Sequence, residues 1–168
     1  MRRHMTRTAL LCCALVACSE RPSPLGPTSA VPHFQRAGPP TPVEQPLTLD
    51  ENVSALCGFP VLVALSGKQK VLELPNRTIT TGPGLDITLV NGNTGRTVTL
   101  NITGAIRFDP LPNQHTDIVL TGRNLFGDFE LGLLLLRGRF DFIVDANGNG
   151  VRPLQGNGHV TDVCALIA

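Results

Sequence analysis

Thr97-Val98-Thr99-Leu100-Asn101-Ile102-Thr103-Gly104-Ala105-Ile106-Arg107-Phe108-Asp109 decides the fold class. Val98, Leu100, Ile102, Ile106 and Phe108 share one parity, while Thr97, Thr99, Asn101, Thr103, Arg107 and Asp109 share the other. Side chains alternate across a strand, so this pattern predicts an antiparallel strand with one buried face and one wet face.

Shorter versions of the same alternation recur at 59–66, 69–74, 77–81, 85–91, 117–121, 129–136, 139–145 and 158–166. Ser66-Gly67, Pro83-Gly84, Asn91-Gly92-Asn93 and Asn147-Gly148 supply turn chemistry between them. No window shows a capped stripe of 3.6-residue period, and Val53–Leu56 is the best candidate for a short helix. The expectation is an all-β domain over residues 52–168, a small antiparallel β-barrel of about eight strands, with a β-sandwich as the alternative. Within it nine basic residues meet nine acidic ones. A balanced surface lacks the clustered cations that bind many phosphates, so no nucleic-acid partner is expected. The chain has seven Phe but neither Trp nor Tyr, which weighs against sugar- or base-stacking sites.

Upstream, residues 1–8 hold Arg2, Arg3 and Arg7 and no acid, and an apolar run from Ala9 to Ala17 follows. A basic start with so short a core fits a secretory signal peptide over 1–17, because the core is too short to span a bilayer. Leu15-Val16-Ala17-Cys18 resembles the lipobox of bacterial lipoproteins. The resemblance implies cleavage before Cys18, acylation of its thiol and a membrane partner reached through the N-terminal lipid. Two acyl chains suffice for stable anchoring. Residues 18–51 then read as a tether, since Ser19–Leu49 holds eight of the fourteen prolines. The expected location is extracytoplasmic, anchored to the cell membrane by lipid, with plain secretion as the alternative.

Export simplifies the cysteines. Cys12 and Cys13 leave with the signal and Cys18 is assigned to lipid, so Cys57 and Cys164 remain to pair in an oxidising compartment. In the chain-entropy model so long a loop is worth roughly 4–5 kcal/mol. Placing Cys57 before the first strand and Cys164 in the last one favours barrel closure, which also removes sheet edges.

Leu133–Leu136 interrupt the alternation with four consecutive leucines. The even residues Leu134, Leu136, Phe140, Phe142 and Val144 continue a core face. Leu131, Leu133 and Leu135 then point outward, either beneath another segment or as a surface for an envelope protein or a second copy.

Candidates for chemistry are few. Asp145-Ala146-Asn147-Gly148-Asn149-Gly150 has the opening oxygen spacing of a calcium loop, but position 12 is Gly156 and not Glu, so a hairpin is the expectation. His115-x-Asp117 and His159-x-x-Asp162 put carboxylates near imidazoles without a nucleophile beside them. Arg96, Arg107, Arg123, Arg137, Arg139 and Arg152 read as part of a mixed solvated surface rather than an anion site. No metal and no cofactor is expected.

Cys57-Gly58-Phe59-Pro60-Val61, Thr94-Gly95-Arg96, Gly122-Arg123-Asn124-Leu125 and Asp162-Val163-Cys164-Ala165 resemble motifs of a group of secreted or lipid-anchored actinobacterial proteins of uncharacterised function. The resemblance spans roughly residues 55–168. It implies an extracytoplasmic β domain with a cysteine pair, and it brings no activity or catalytic residue. The expected role is a non-enzymatic envelope module that binds a ligand or a protein. The alternative is a small barrel enzyme of isomerase or cyclase type working on an apolar molecule through His115, Asp117 or His159.

Overall fold

The computed structural model describes residues 38–168. The segment expected to be a signal peptide, Cys18 and most of the expected tether lie outside the described residues. The elements are β1 (Thr41–Leu49), α1 (Glu51–Cys57), β2 (Val61–Leu74), β3 (Arg77–Thr81), β4 (Asp86–Asn91), β5 (Thr97–Asn101), β6 (Gly104–Pro110), β7 (Thr116–Asp128), β8 (Gly132–Val144), β9 (Gly150–Asp162) and α2 (Val163–Ile167). All pairings are antiparallel, in one nine-stranded sheet ordered β5-β4-β2-β3-β6-β7-β8-β9, with β1 added beside β2.

Two strands divide that sheet into layers. The first half of β2 pairs with β1 and β4, and its second half pairs with β3. Pairing with β4 stops at Ser66, and at the next residue, Gly67 (φ +133°), a Cβ would stand 2.2 Å from the Gly84 carbonyl oxygen. Ser66-Gly67 is therefore a bend within a strand and not a turn between two. The Thr97–Asp109 stretch divides as well. Ile102 donates its N–H to the Leu85 carbonyl (2.8 Å), and Arg123 donates to the Thr103 carbonyl (3.2 Å). The chain thus leaves one layer as β5 and enters the other as β6. Strands that switch layers through bends make the corners of a sandwich. We call β1-β2-β4-β5 the front sheet, and the second half of β2 with β3-β6-β7-β8-β9 the back sheet.

The sheet is not closed, which fits the sandwich alternative rather than the barrel. The reason lies in the cysteines. Cys57 and Cys164 do form a disulfide (Cα–Cα 5.2 Å), but they end α1 and begin α2. The bridge fastens two short helices and not the first strand to the last. Asp50 caps α1 by accepting from the Val53 N–H (3.0 Å), and Gly58 (φ +74°) ends it. Asp162 caps α2 through the Ala165 N–H (3.1 Å), which terminates β9 before Cys164. The domain also begins earlier than residue 52. Residues 41–49 form β1 along β2 despite Pro42 and Pro46, an edge position that tolerates proline.

The main core lies between the layers. Val61, Val63, Ile87 and Leu89 of the front sheet meet Leu133 and Leu135 of β8 and Val163 and Ile167 of α2. Leu133 and Leu135 are 2% and 1% exposed, so the proposed outward patch does not exist; Leu131, at 54%, alone faces solvent. The front sheet and the two disulfide-linked helices cover that face. Buried Asn91 ties α2 to the front sheet by donating to the Ile167 carbonyl (2.9 Å), and it fixes the turn after β4 by accepting from the N–H groups of Asn93 and Thr94.

Candidate functional site

The other face of the back sheet is concave, and its sequence explains why. Gly104, Gly122, Gly138 and Gly158 are cross-strand partners, forming one row across β6, β7, β8 and β9. At Gly138 (φ +142°) a Cβ would stand 2.4 Å from the Asn157 carbonyl oxygen, so only glycine fits the bend there. The bend is sharp enough to bring distant rings together. Phe142 pairs with Ile118, eight residues from Phe126 along β7 and about 26 Å away in a straight strand. Yet the Phe126 and Phe142 rings meet edge to face with centroids 5.2 Å apart. The back sheet therefore folds over on itself along the glycine row.

Inside the fold Leu120, Leu134, Leu136 and Phe140 form a second core, with Ile106, Ile118, Phe126, Phe142 and Leu154 around it. Next to it a groove of about 490 Å³ stays open, floored by Ile106, Phe108, Ile118, Phe142, Val144 and Leu154. Its mouth lies between the β7–β8 turn and the start of β9, where Phe129 is 85% exposed. The ionisable residues at the groove are Asp128 and Arg152. Asp128 holds the turn by accepting from the N–H groups of Glu130 (2.8 Å) and Leu131 (3.0 Å). Arg152 reaches the convex face, where it binds Asp117 (3.0 Å) and, more closely, Asp141. What remains is an apolar surface with phenyl rings, suited to burying hydrocarbon.

The other predicted residues are dispersed. Asp117 is held by Arg152 rather than His115, and Asp162 caps α2 rather than serving His159. Neither histidine lines the groove. Asp145 makes a hairpin: its carboxylate accepts from Asn147 N–H (2.8 Å), Asn149 N–H (2.9 Å) and the Asn149 side-chain amide (3.0 Å). Those bonds, the Asn149 side chain's first, hold its pKa below the usual value, with a smaller contribution from the His115 charge. Among the described residues no three His, Cys, Asp or Glu side chains gather as a metal site. The groove was missed by sequence reasoning; its one signal, the glycine row, becomes visible only once the register is known.

A two-layer all-β protein with an apolar groove on a glycine-folded sheet is the class that fold and site define. Compared with protein-family models, curated proteins and solved structures, the chain finds no match in any of the three.

Proposed function

We propose that the chain is an exported, lipid-anchored envelope protein whose β domain binds an apolar small molecule without transforming it. The observation that supports this most is the groove of about 490 Å³, floored by aliphatic and phenyl side chains and open to solvent beside Phe129. Its volume falls among small-molecule sites, and its floor offers hydrophobic contact rather than a nucleophile or a base. The basic, apolar and Cys18 pattern at the N terminus supports the anchor.

The test uses a fluorescent fatty acid, cis-parinaric acid, titrated into the full chain. Saturable enhancement is expected. Leu154→Trp, which fills the groove, should abolish it, and Phe129→Ala at the mouth should weaken it several-fold with an unchanged melting temperature. Enhancement that survives Leu154→Trp undiminished in a folded protein would place the probe elsewhere and remove the groove reading. Loss of Cys18 acylation in the native host would be scored by mass spectrometry of the N-terminal peptide; an unmodified Cys18 removes the anchor.

A further inference from the structure

The convex face of the back sheet treats its arginines in two ways. Arg107 and Arg77 both lie on Asp109 (2.6 and 3.4 Å), and Arg152 joins Asp117 and Asp141. A short way along the same strands, Arg123 pairs directly with Arg137 across β7 and β8, and Arg137 pairs with His159 across β8 and β9. Register partners present their side chains on one face, so three nitrogen-bearing groups stand in a single row across three strands. Arg139 follows two residues along β8 on the same face. All four residues are exposed. Among the described residues no carboxylate lies within ion-pair distance of Arg123, Arg137 or Arg139. The nearest polar partner of Arg123 is neutral, the Asn101 side-chain oxygen at 3.5 Å.

Like charges directly opposite one another in a sheet are unfavourable. Carboxylates elsewhere on this face neutralise its arginines, and here nothing in the described chain does. We propose that Arg123, Arg137 and His159, with Arg139 beside them, form a binding site for an oxyanion of phosphate type. Two guanidinium forks and an imidazole N–H would share its oxygens in charge-assisted hydrogen bonds, as planar Arg groups do with phosphate. Bound there, the anion would offset the repulsion of the row. The same chemistry occurs in free phosphate and in the headgroup of an anionic lipid, and the site lies on the face opposite the apolar groove.

The experiment uses the full chain with Cys18→Ala, so that acylation does not differ between samples. One arm measures the melting temperature in inorganic phosphate against chloride at matched ionic strength. The other measures sedimentation with phosphatidylcholine vesicles with and without phosphatidylglycerol. A rise in melting temperature with phosphate, and apparent affinity roughly tenfold weaker in Arg123→Gln/Arg137→Gln, is expected for a soluble anion. Preference for phosphatidylglycerol vesicles lost in the same variant, without a phosphate response, assigns the headgroup. Arg137→Lys keeps the charge but loses the fork, and should weaken either response by less than the double variant does. The site is overturned by either of two results: neither probe distinguishing parent from double variant, or a melting temperature several degrees lower in the double variant, which would assign the guanidiniums to the fold.

Discussion

The two halves of β8, on either side of Gly138, share one alternation and have opposite surroundings. In the first half, Leu133 and Leu135 face the front sheet and helices, while Leu134 and Leu136 face the second core, so the strand is covered on both sides. In the second half, Phe140 and Phe142 face the concave side, while Arg139 and Asp141 face outward. A strand buried on both faces reads as a continuous apolar run, and one buried on a single face reads as alternation. The four leucines therefore mark where a second layer sits and not an exposed patch. The difference is imposed by elements far away in sequence: Val61–Val63, Ile87–Leu89 and the α2 helix that Cys57–Cys164 fastens down.

Truncation on the two sides of Gly138 breaks the comparison most directly. Leu135→Ala truncates a side chain that is 1% exposed and should cost about 2–5 kcal/mol, as for other buried Leu deletions. Arg139→Ala, at an outward position of the same parity, should stay within about 0.5 kcal/mol. Urea unfolding of both variants measures this; equal effects would mean the two halves are not differently covered.

The hinge between the halves gives the next largest effect. Gly138→Ala must either strain the backbone or push the Cβ into the Asn157 carbonyl and the Gly158 Cα, which are backbone atoms that cannot rotate away. A cost of about 1–3 kcal/mol follows from the left-handed conformation alone. Because the fold of the back sheet holds the groove walls together, the same variant should also lose binding of the fatty acid probe. Gly150→Ala meets nothing within 4 Å and should leave stability within about 0.5 kcal/mol. A Gly138→Ala protein as stable as Gly150→Ala would show that the sheet turns without the glycine row.

Much of this architecture was legible in the chain. The strand class, the β3 bounds, the Pro83-Gly84 and Asn147-Gly148 turns, the short helix around Val53–Leu56 and the Cys57–Cys164 bridge all rest on local chemistry or on counting. What escaped is non-local. Thr97–Asp109 alternates without a break, yet Val98 and Leu100 pack in the main core and Ile106 in the second, because neighbouring strands pull its ends into different layers. Parity says which residues share a face but not what lies opposite, so Leu133 and Leu135 could be read as exposed. Val163–Ile167 looks like a strand continuing β9 until Asp162 is seen to cap it as a helix. The groove depended on four glycines whose separations in sequence are unequal, and register alone aligns them.

The smallest effect sits at the far end of the second half, where the Asp145 hairpin joins β8 to β9. Hydrogen bonds from Asn149 and Asn147 favour the charged carboxylate, so its pKa in the folded chain lies below the ordinary 3.8. A depressed carboxylate contributes stability that is present above its unfolded pKa and fades as pH falls through the folded value. The contribution should therefore be constant from neutral pH down to about pH 5 and disappear below the ordinary carboxylate range. Because the side chain is exposed, solvent screens it and the effect is small. Monitoring the Asn149 side-chain amide by NMR during acid titration should give a midpoint below 3.8, and Asp145→Asn should remove that transition. A midpoint at or above 3.8 would mean that the turn does not hold the carboxylate. In that case the second half of β8 is fixed at its far end by the strand pairing of Val144 with Gly150 and not by the hairpin.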